Sequence, residues 1–205
     1  MDYYALLHEP RRPWIDPERL KAKFLALLAA AHPDRVHRGD EAEKAAAQER
    51  AAELNAAYHC LREPKERLQH LLELEGSGNP AMVTGASAAV TDLFFEVGQA
   101  CREVDAFLGE KEKATSPLLK VRLFEQGMTW SDRINRLQAK IDARREELMA
   151  ELRGMNPAWE SVTREGGGDR AVALPLSRLE EIFRLVSYFA RWTQQLQERA
   201  LKLSL

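Results

Sequence analysis

Apolar residues recur along this chain at intervals of three and four almost throughout, and two-residue alternation is hard to find, so the pattern predicts helices and no sheet. Tyr3, Tyr4, Leu6 and Leu7 mark a short first helix over 2–8, broken by "EPRRPW", where two closely spaced prolines cannot sit inside a helix. A second helix has a defined start. Asp16 is placed as its N-cap, Pro17 as its first residue, and Glu18 lies in the turn that favours negative charge. Leu20, Phe24, Leu27, Leu28 and Ala31 share one face of it, and Pro33 ends it, because the residue before proline is pushed out of the helical region. A third helix is expected over 41–62. Its stripe of Ala47, Ala51, Leu54, Tyr58 and Leu61 suits antiparallel packing on the second helix, with alanines that let the backbones approach. Pro64 closes that helix and opens a fourth, buried through Leu68, Leu71 and Leu72.

"GSGNPAMVTG", residues 76–85, has the composition of a linker. Beyond it the periodicity predicts a helix over 87–108 that buries Val90, Leu93, Phe94, Val97, Cys101, Val104 and Leu108. A longer helical region over 117–153 carries Trp130, Ile134, Leu137, Ile141 and Leu148 on one side, with Gly127 as the point where it would bend or split. The stretch 154–175, "GMNPAWESVTREGGGDRAVALP", is expected to be a mobile loop because of its glycines and prolines. A last helix from 177 towards the C-terminus carries Leu179, Ile182, Phe183, Val186, Phe189, Leu196 and Leu203. Leu185, Tyr188 and Trp192 form a second apolar line on that helix and are assigned to the core. The second half is thus expected to pack as a three-helix bundle.

Composition narrows the chemistry. With 205 residues and 45% hydrophobic positions the chain can build a core. A net charge of −2 and the lack of a basic tail give no reason to expect nucleic-acid binding. Cys60 and Cys101 lie far apart without ligand spacing, which argues against a disulfide scaffold or zinc site and fits a reducing cytoplasm. They are expected to act as small buried hydrophobes. "MDYYALLHEP" lacks the basic start and apolar core of a signal peptide, and no apolar run approaches ~18 residues, so no membrane span is expected.

The triplet His32-Pro33-Asp34 interrupts this pattern between the second and third helices. A lone His–Asp pair is not a catalytic site, and no nucleophile, metal-ligand set or glycine-rich phosphate loop accompanies it; neither an enzyme nor a cofactor is expected. On its own the triplet could be a helix stop. Its surroundings say more: "DYYALL" opens the first helix, and "ELNAAYHCLREPKER" closes the third. With HPD between them, this order resembles the J domain of the DnaJ-type co-chaperones. The residues that carry the likeness are Asp2, Tyr3, Tyr4, Leu6 and Leu7, then His32, Pro33 and Asp34, then Asn55, Ala57, Tyr58, Leu61 and Pro64. "RLQHLLELEG" and "FFEVGQACREVDAF" are further similar to the HscB-type co-chaperones of iron–sulfur cluster assembly, in which a J domain and a short linker precede a three-helix bundle.

The resemblance implies an all-α chain with a J domain over 1–75, a linker over 76–86 and a client-binding bundle over 87–205. It implies a partner, a seventy-kilodalton heat-shock ATPase chaperone of the DnaK/HscA class, engaged by His32, Pro33 and Asp34, which would promote ATP hydrolysis there. Pro33 would rigidify the loop and Asp34 would offer a carboxylate to a partner arginine, while Lys21, Lys23, Arg35 and Arg38 would steer the encounter with an acidic surface. A second partner, a client such as an iron–sulfur scaffold protein, would meet Phe94, Phe95, Gly98 and Arg102. Phe95 lies beside its helix's buried stripe and is the more exposed candidate of the two phenylalanines; packing of both rings into the bundle is the alternative. Two departures from the family are visible: Ala29, Ala30 and Ala31 replace most of the basic, aromatic approach to HPD, and Gly98 and Cys101 stand where a leucine and an arginine are usual. They leave open an adaptor for a different client, and a helical interaction protein that no longer stimulates an ATPase.

Overall fold

The computed structural model describes residues 1–31, 41–76, 88–165 and 170–204, and every regular element among them is a helix, as the hydrophobic period predicts. In order they are α1 (Tyr3–Leu6), α2 (Pro17–Ala30), α3 (Glu41–Arg62), α4 (Pro64–Leu74), α5 (Ala88–Lys113), α6 (Pro117–Glu165), α7 (Arg170–Ala173) and α8 (Leu176–Ser204). The chain divides into two compact units. One comprises Met1–Met82 with Met149–Phe183, the other Val83–Leu148 with Arg184–Leu205.

In the first unit the predicted caps form. The Asp16 carboxylate accepts from the Arg19 N–H at 2.9 Å, with Pro17 at the start of α2. Asp2 does the same for α1, accepting from the Tyr4 and Ala5 N–H groups. Helices α2 and α3 pack against each other, and α3 also holds α1 and α4. Tyr4, Leu7, Leu20, Phe24, Leu54, Ala57, Leu61, Leu68, Leu71 and Leu72 form the buried centre, and the Phe24 and Tyr58 rings stack at 4.2 Å across the hairpin. Arg67 was not legible as a structural residue. Its buried guanidinium donates to the carbonyls of Leu61 at 2.7 Å and Pro13 at 2.9 Å, so it closes the open C-terminal end of α3 and fastens the α1–α2 connection to it. Gly76, with φ of 72°, takes the left-handed conformation just past the end of α4 that glycine adopts without strain.

Residues 154–165 and 170–173 correct the sequence reading, while 166–169, with the triple glycine, lie outside the described residues. Where a mobile loop is expected, α6 continues through Gly154 and Pro157 to Glu165, and α7 follows at Arg170–Ala173. An interior proline costs a helix about 3 kcal/mol and a glycine about 1. Against this stands Trp159, whose side chain is fully buried. Burying roughly 150–250 Å² of aromatic surface yields about 4–6 kcal/mol at ~25 cal/mol per Å². The Asn156 amide adds a two-way pairing with the Trp14 backbone, accepting its N–H at 3.1 Å and donating to its carbonyl at 3.0 Å. Arg153 lies over the Trp14 ring at 4.2 Å. Burial and pairing outweigh the local helix breakers. Further along, the buried carboxylate of Glu75 receives a two-pronged pair from Arg170 at 2.7 and 2.8 Å.

The second unit contains α5, the first two-thirds of α6 and the last part of α8. Leu93, Val97, Cys101 and Val104 of α5, Ile134, Leu137, Ile141 and Leu148 of α6, and Val186, Phe189, Trp192 and Leu196 of α8 are buried there. Arg199 reaches from α8 to Asp105 and the Cys101 carbonyl on α5, and Lys140 reaches from α6 to Glu96 on α5. Arg133 of α6 pairs with Glu103 of α5. Helix α6 is unbroken at Gly127, which is buried against the Phe107 ring. Phe107, rather than Leu108, fills the core at that level.

Candidate functional site

The five residues at the centre of the expected chaperone contact, His32, Pro33, Asp34, Arg35 and Arg38, lie outside the described residues. Their frame is described: α2 ends at Ala30 with Ala31 as its cap, and α3 begins at Glu41. Ala29 and Ala30 are exposed and carry no charge.

The two lysines of α2 differ. Lys21 is exposed and makes no ion pair among the described residues. Lys23 is committed inward: its ammonium lies 2.6 Å from the Glu9 carboxylate and donates to the His8 carbonyl at 2.7 Å. The Glu9 side chain is wholly buried and also draws Arg12 to 3.0 Å and Arg19 to 3.7 Å. A buried carboxylate requires such company. Much of the positive charge at the start of α2 is thus shared with an interior anion.

His70, on α4, joins this unit's interior to α1. Its Nε2 accepts the Tyr3 N–H at 3.1 Å, and its ring packs against Tyr3 and Tyr4. Burial holds its pKa below the usual histidine value, so the neutral, accepting form is the one the fold uses. Burial likewise raises the Cys60 thiol to about 11 and raises Cys101, so both stay protonated and unreactive.

In the second unit, Phe94 departs from the sequence expectation of a buried stripe residue. Its side chain is 54% exposed, and Phe95 is 64% exposed. The two rings meet edge to face at 5.6 Å. Phe94 then approaches Trp192 of α8 at 6.1 Å, and Trp192 stacks with Tyr188 at 6.0 Å. Leu185 and Trp192 are buried as expected for a core line, but Tyr188 is 46% exposed. The result is an aromatic face that runs from α5 to α8 with Trp192 as its floor. Gly98 lies one turn beyond Phe94, and a Cβ built there would stand 3.6 Å from the Arg102 guanidinium. Arg102 therefore folds back over the bare backbone at Gly98, towards the phenylalanines. Phe94, Phe95, Gly98 and Arg102 lie within two turns of α5, and Tyr188 and Trp192 of α8, read from the sequence as core, adjoin the Phe94 ring through Trp192.

Among the described residues, no group of three or more His, Cys, Asp or Glu side chains is placed to hold a metal ion. No helix among them is long and apolar enough to cross a membrane. In the second unit, the exposed Phe94, Phe95 and Tyr188 leave large aromatic surface uncovered, with the Arg102 guanidinium beside Gly98.

No family model matches the chain. Its fold is that of the HscB-type chaperones. The structure of the chaperone HscB from Vibrio cholerae superposes with a TM-score of 0.60 over 97% of this chain and 96% of that one, at 19% identity. The human co-chaperone protein HscB gives a TM-score of 0.57 over 96% of this chain and 81% of that one, at 18% identity.

Proposed function

We propose that this protein is a co-chaperone of the HscB type, which stimulates ATP hydrolysis by a DnaK/HscA-class chaperone and delivers to it a client, an iron–sulfur cluster scaffold protein. The observation that carries the reading is a conjunction. The HscB-type fold spans 97% of the chain, and His32-Pro33-Asp34 stands in the sequence between the helices that correspond to a J-domain hairpin. Neither half would suffice alone, because a fold hosts many functions and a triplet can arise by chance.

In this reading the protein performs no chemistry of its own. Pro33 restricts the loop after α2, and His32 and Asp34 meet the chaperone, with the aspartate carboxylate paired to a partner arginine. Lys21 contributes long-range attraction; Lys23, Arg35 and Arg38 add to the same field, Lys23 less so because Glu9 neutralises it. On the second unit the exposed rings of Phe94 and Phe95 anchor the client, with Gly98 and Arg102 beside them. Joining the two binding regions in one chain raises the effective concentration of client at the chaperone.

The test is steady-state ATP turnover by the chaperone with and without this protein. Stimulation that disappears in Asp34→Asn supports the reading; undiminished stimulation by that variant removes the HPD loop from the mechanism. Isothermal titration of the scaffold protein addresses the client, with Phe94→Ala/Phe95→Ala expected to weaken binding. Stimulation without any scaffold binding would make the protein an adaptor for a different client.

A further inference from the structure

On α8 the charges beside the aromatic face are of one sign. Over 184–195, helix α8 carries Arg184 and Arg191 and no carboxylate. Tyr188 lies between these two arginines, four residues after the first and three before the second, so all three share one side of the helix. Opposite, α5 presents Phe94, Phe95, Gly98 and Arg102 on one side. Of its carboxylates, Glu96 is bound to Lys140 of α6, and Asp92, exposed, stands three residues before Phe95 at the edge of this side. Glu103 and Asp105, the next acids along α5, are already paired, the first with Arg133 of α6 and the second with Arg199 at 2.6 Å. Arg102 and Arg191 are exposed, and neither makes an ion pair among the described residues. The Arg102 guanidinium also lies over Gly98, inside the aromatic face rather than beyond its edge.

We infer that this face takes a partner segment of defined chemistry: apolar or aromatic anchors flanked by carboxylates, with Arg102 and Arg191 receiving the acidic groups. The inference deepens the client-binding role proposed above and rests on it. Three observations lead to it. Exposed aromatic rings this close together want an apolar counterpart. Planar guanidinium groups without an internal partner favour carboxylates, which they bind through two parallel hydrogen bonds. A basic segment would meet arginines on both helices, which Asp92 at the edge of the face offsets only in part. An anionic lipid surface is the weaker fit. Each cation near such a surface adds only about 1 kcal/mol, and two of them do not hold a protein of this size on a membrane.

The experiment titrates the intact protein with the iron–sulfur scaffold protein at low and high salt, for the unmodified chain, Arg102→Glu/Arg191→Glu and Arg102→Lys/Arg191→Lys. Both positions are exposed and unpaired, so the variants should keep their circular dichroism. The expected result is binding that weakens with salt, falls about tenfold or more on charge reversal, and stays within about threefold in the lysine pair. Scaffold binding that is indifferent to both salt and charge reversal overturns the inference and leaves the client reading intact. Absence of scaffold binding by the unmodified chain overturns the client reading and the inference with it. In that case, co-sedimentation of the chain with phosphatidylserine vesicles, lost on charge reversal, would identify lipid as the acidic partner.

Discussion

Asn156→Ala tests the part of the fold that the sequence hid most completely. The Asn156 amide makes two hydrogen bonds to the backbone of Trp14, a residue 142 positions away in sequence, and so ties α6 to the segment leading into α2, beside the Arg153–Trp14 contact. Truncation removes both bonds. Each is worth about 1 kcal/mol net, and a part-buried N–H or carbonyl left without a partner costs somewhat more, so the loss is about 2–3 kcal/mol. Alanine returns roughly 0.5 kcal/mol of helix propensity. The net cost is about 2 kcal/mol, equivalent to a fall in Tm of about 4–8 °C for a chain of this length. Asn156→Asp is the informative companion. It keeps an acceptor for the Trp14 N–H but turns the donor into a second acceptor facing a carbonyl, so it should destabilise at least as much. Thermal unfolding followed by circular dichroism measures the shift, and native-state hydrogen exchange at the Trp14 amide localises it. A change in Tm below about 1 °C together with unchanged Trp14 exchange would refute the pairing as the anchor of α6.

Three further outcomes follow from particular side chains. Lys23→Ala should lower Tm, by about 1–2 kcal/mol of stability, because it strips a cation from the buried Glu9 carboxylate; Lys21→Ala should leave Tm unchanged and lower chaperone stimulation. Equal effects of the two changes on Tm would contradict the division of roles. Gly98→Ala should stabilise the protein by about 0.5–1 kcal/mol, since the added Cβ makes only ordinary contact with the Arg102 guanidinium at 3.6 Å; a lower Tm would show that the glycine is needed by the fold. Stability should decline as pH falls through the unfolded-state histidine value near ~6.5, because burial lowers the folded-state pKa of His70 and the unfolded chain therefore takes up the proton first. His70→Gln keeps an acceptor for the Tyr3 N–H without titrating, and chemical denaturation at pH 7 and 5.5 should show a smaller pH dependence for it; the same dependence in both proteins would acquit His70.

Local chemistry made the N-terminal helices legible. Asp16 and Pro17 define the start of α2, and the four-three spacing from Ala47 to Leu61 marks α3, because caps and stripes act within a few residues. The misreading of 154–165 has the opposite origin. Gly154 and Pro157 are strong local breakers, whereas Trp159 burial and the Asn156–Trp14 pairing are long-range and leave no trace in a local pattern. The aromatic face was half legible. Phe95 stood outside its stripe and pointed to a surface, but Phe94 sits at the boundary between stripe and solvent, where periodicity does not decide burial. Tyr188 was hidden for a related reason: its spacing from Leu185 and Trp192 suits a core, and only the packing of α8 against α5 turns it outward. The opposite fates of Lys21 and Lys23 likewise depend on Glu9, which the intervening prolines carry back to α2.

The central claim is that HPD in this chain still acts, despite the uncharged alanines before it. Single-turnover ATP hydrolysis by a DnaK/HscA-class chaperone, with this protein titrated in, tests that most directly. The account predicts a saturable rise in the hydrolysis rate that Asp34→Asn abolishes while its fold, followed by circular dichroism, is retained. A flat response to the intact, folded protein would contradict it and leave a helical interaction protein with an HscB-type fold and no chaperone-stimulating role.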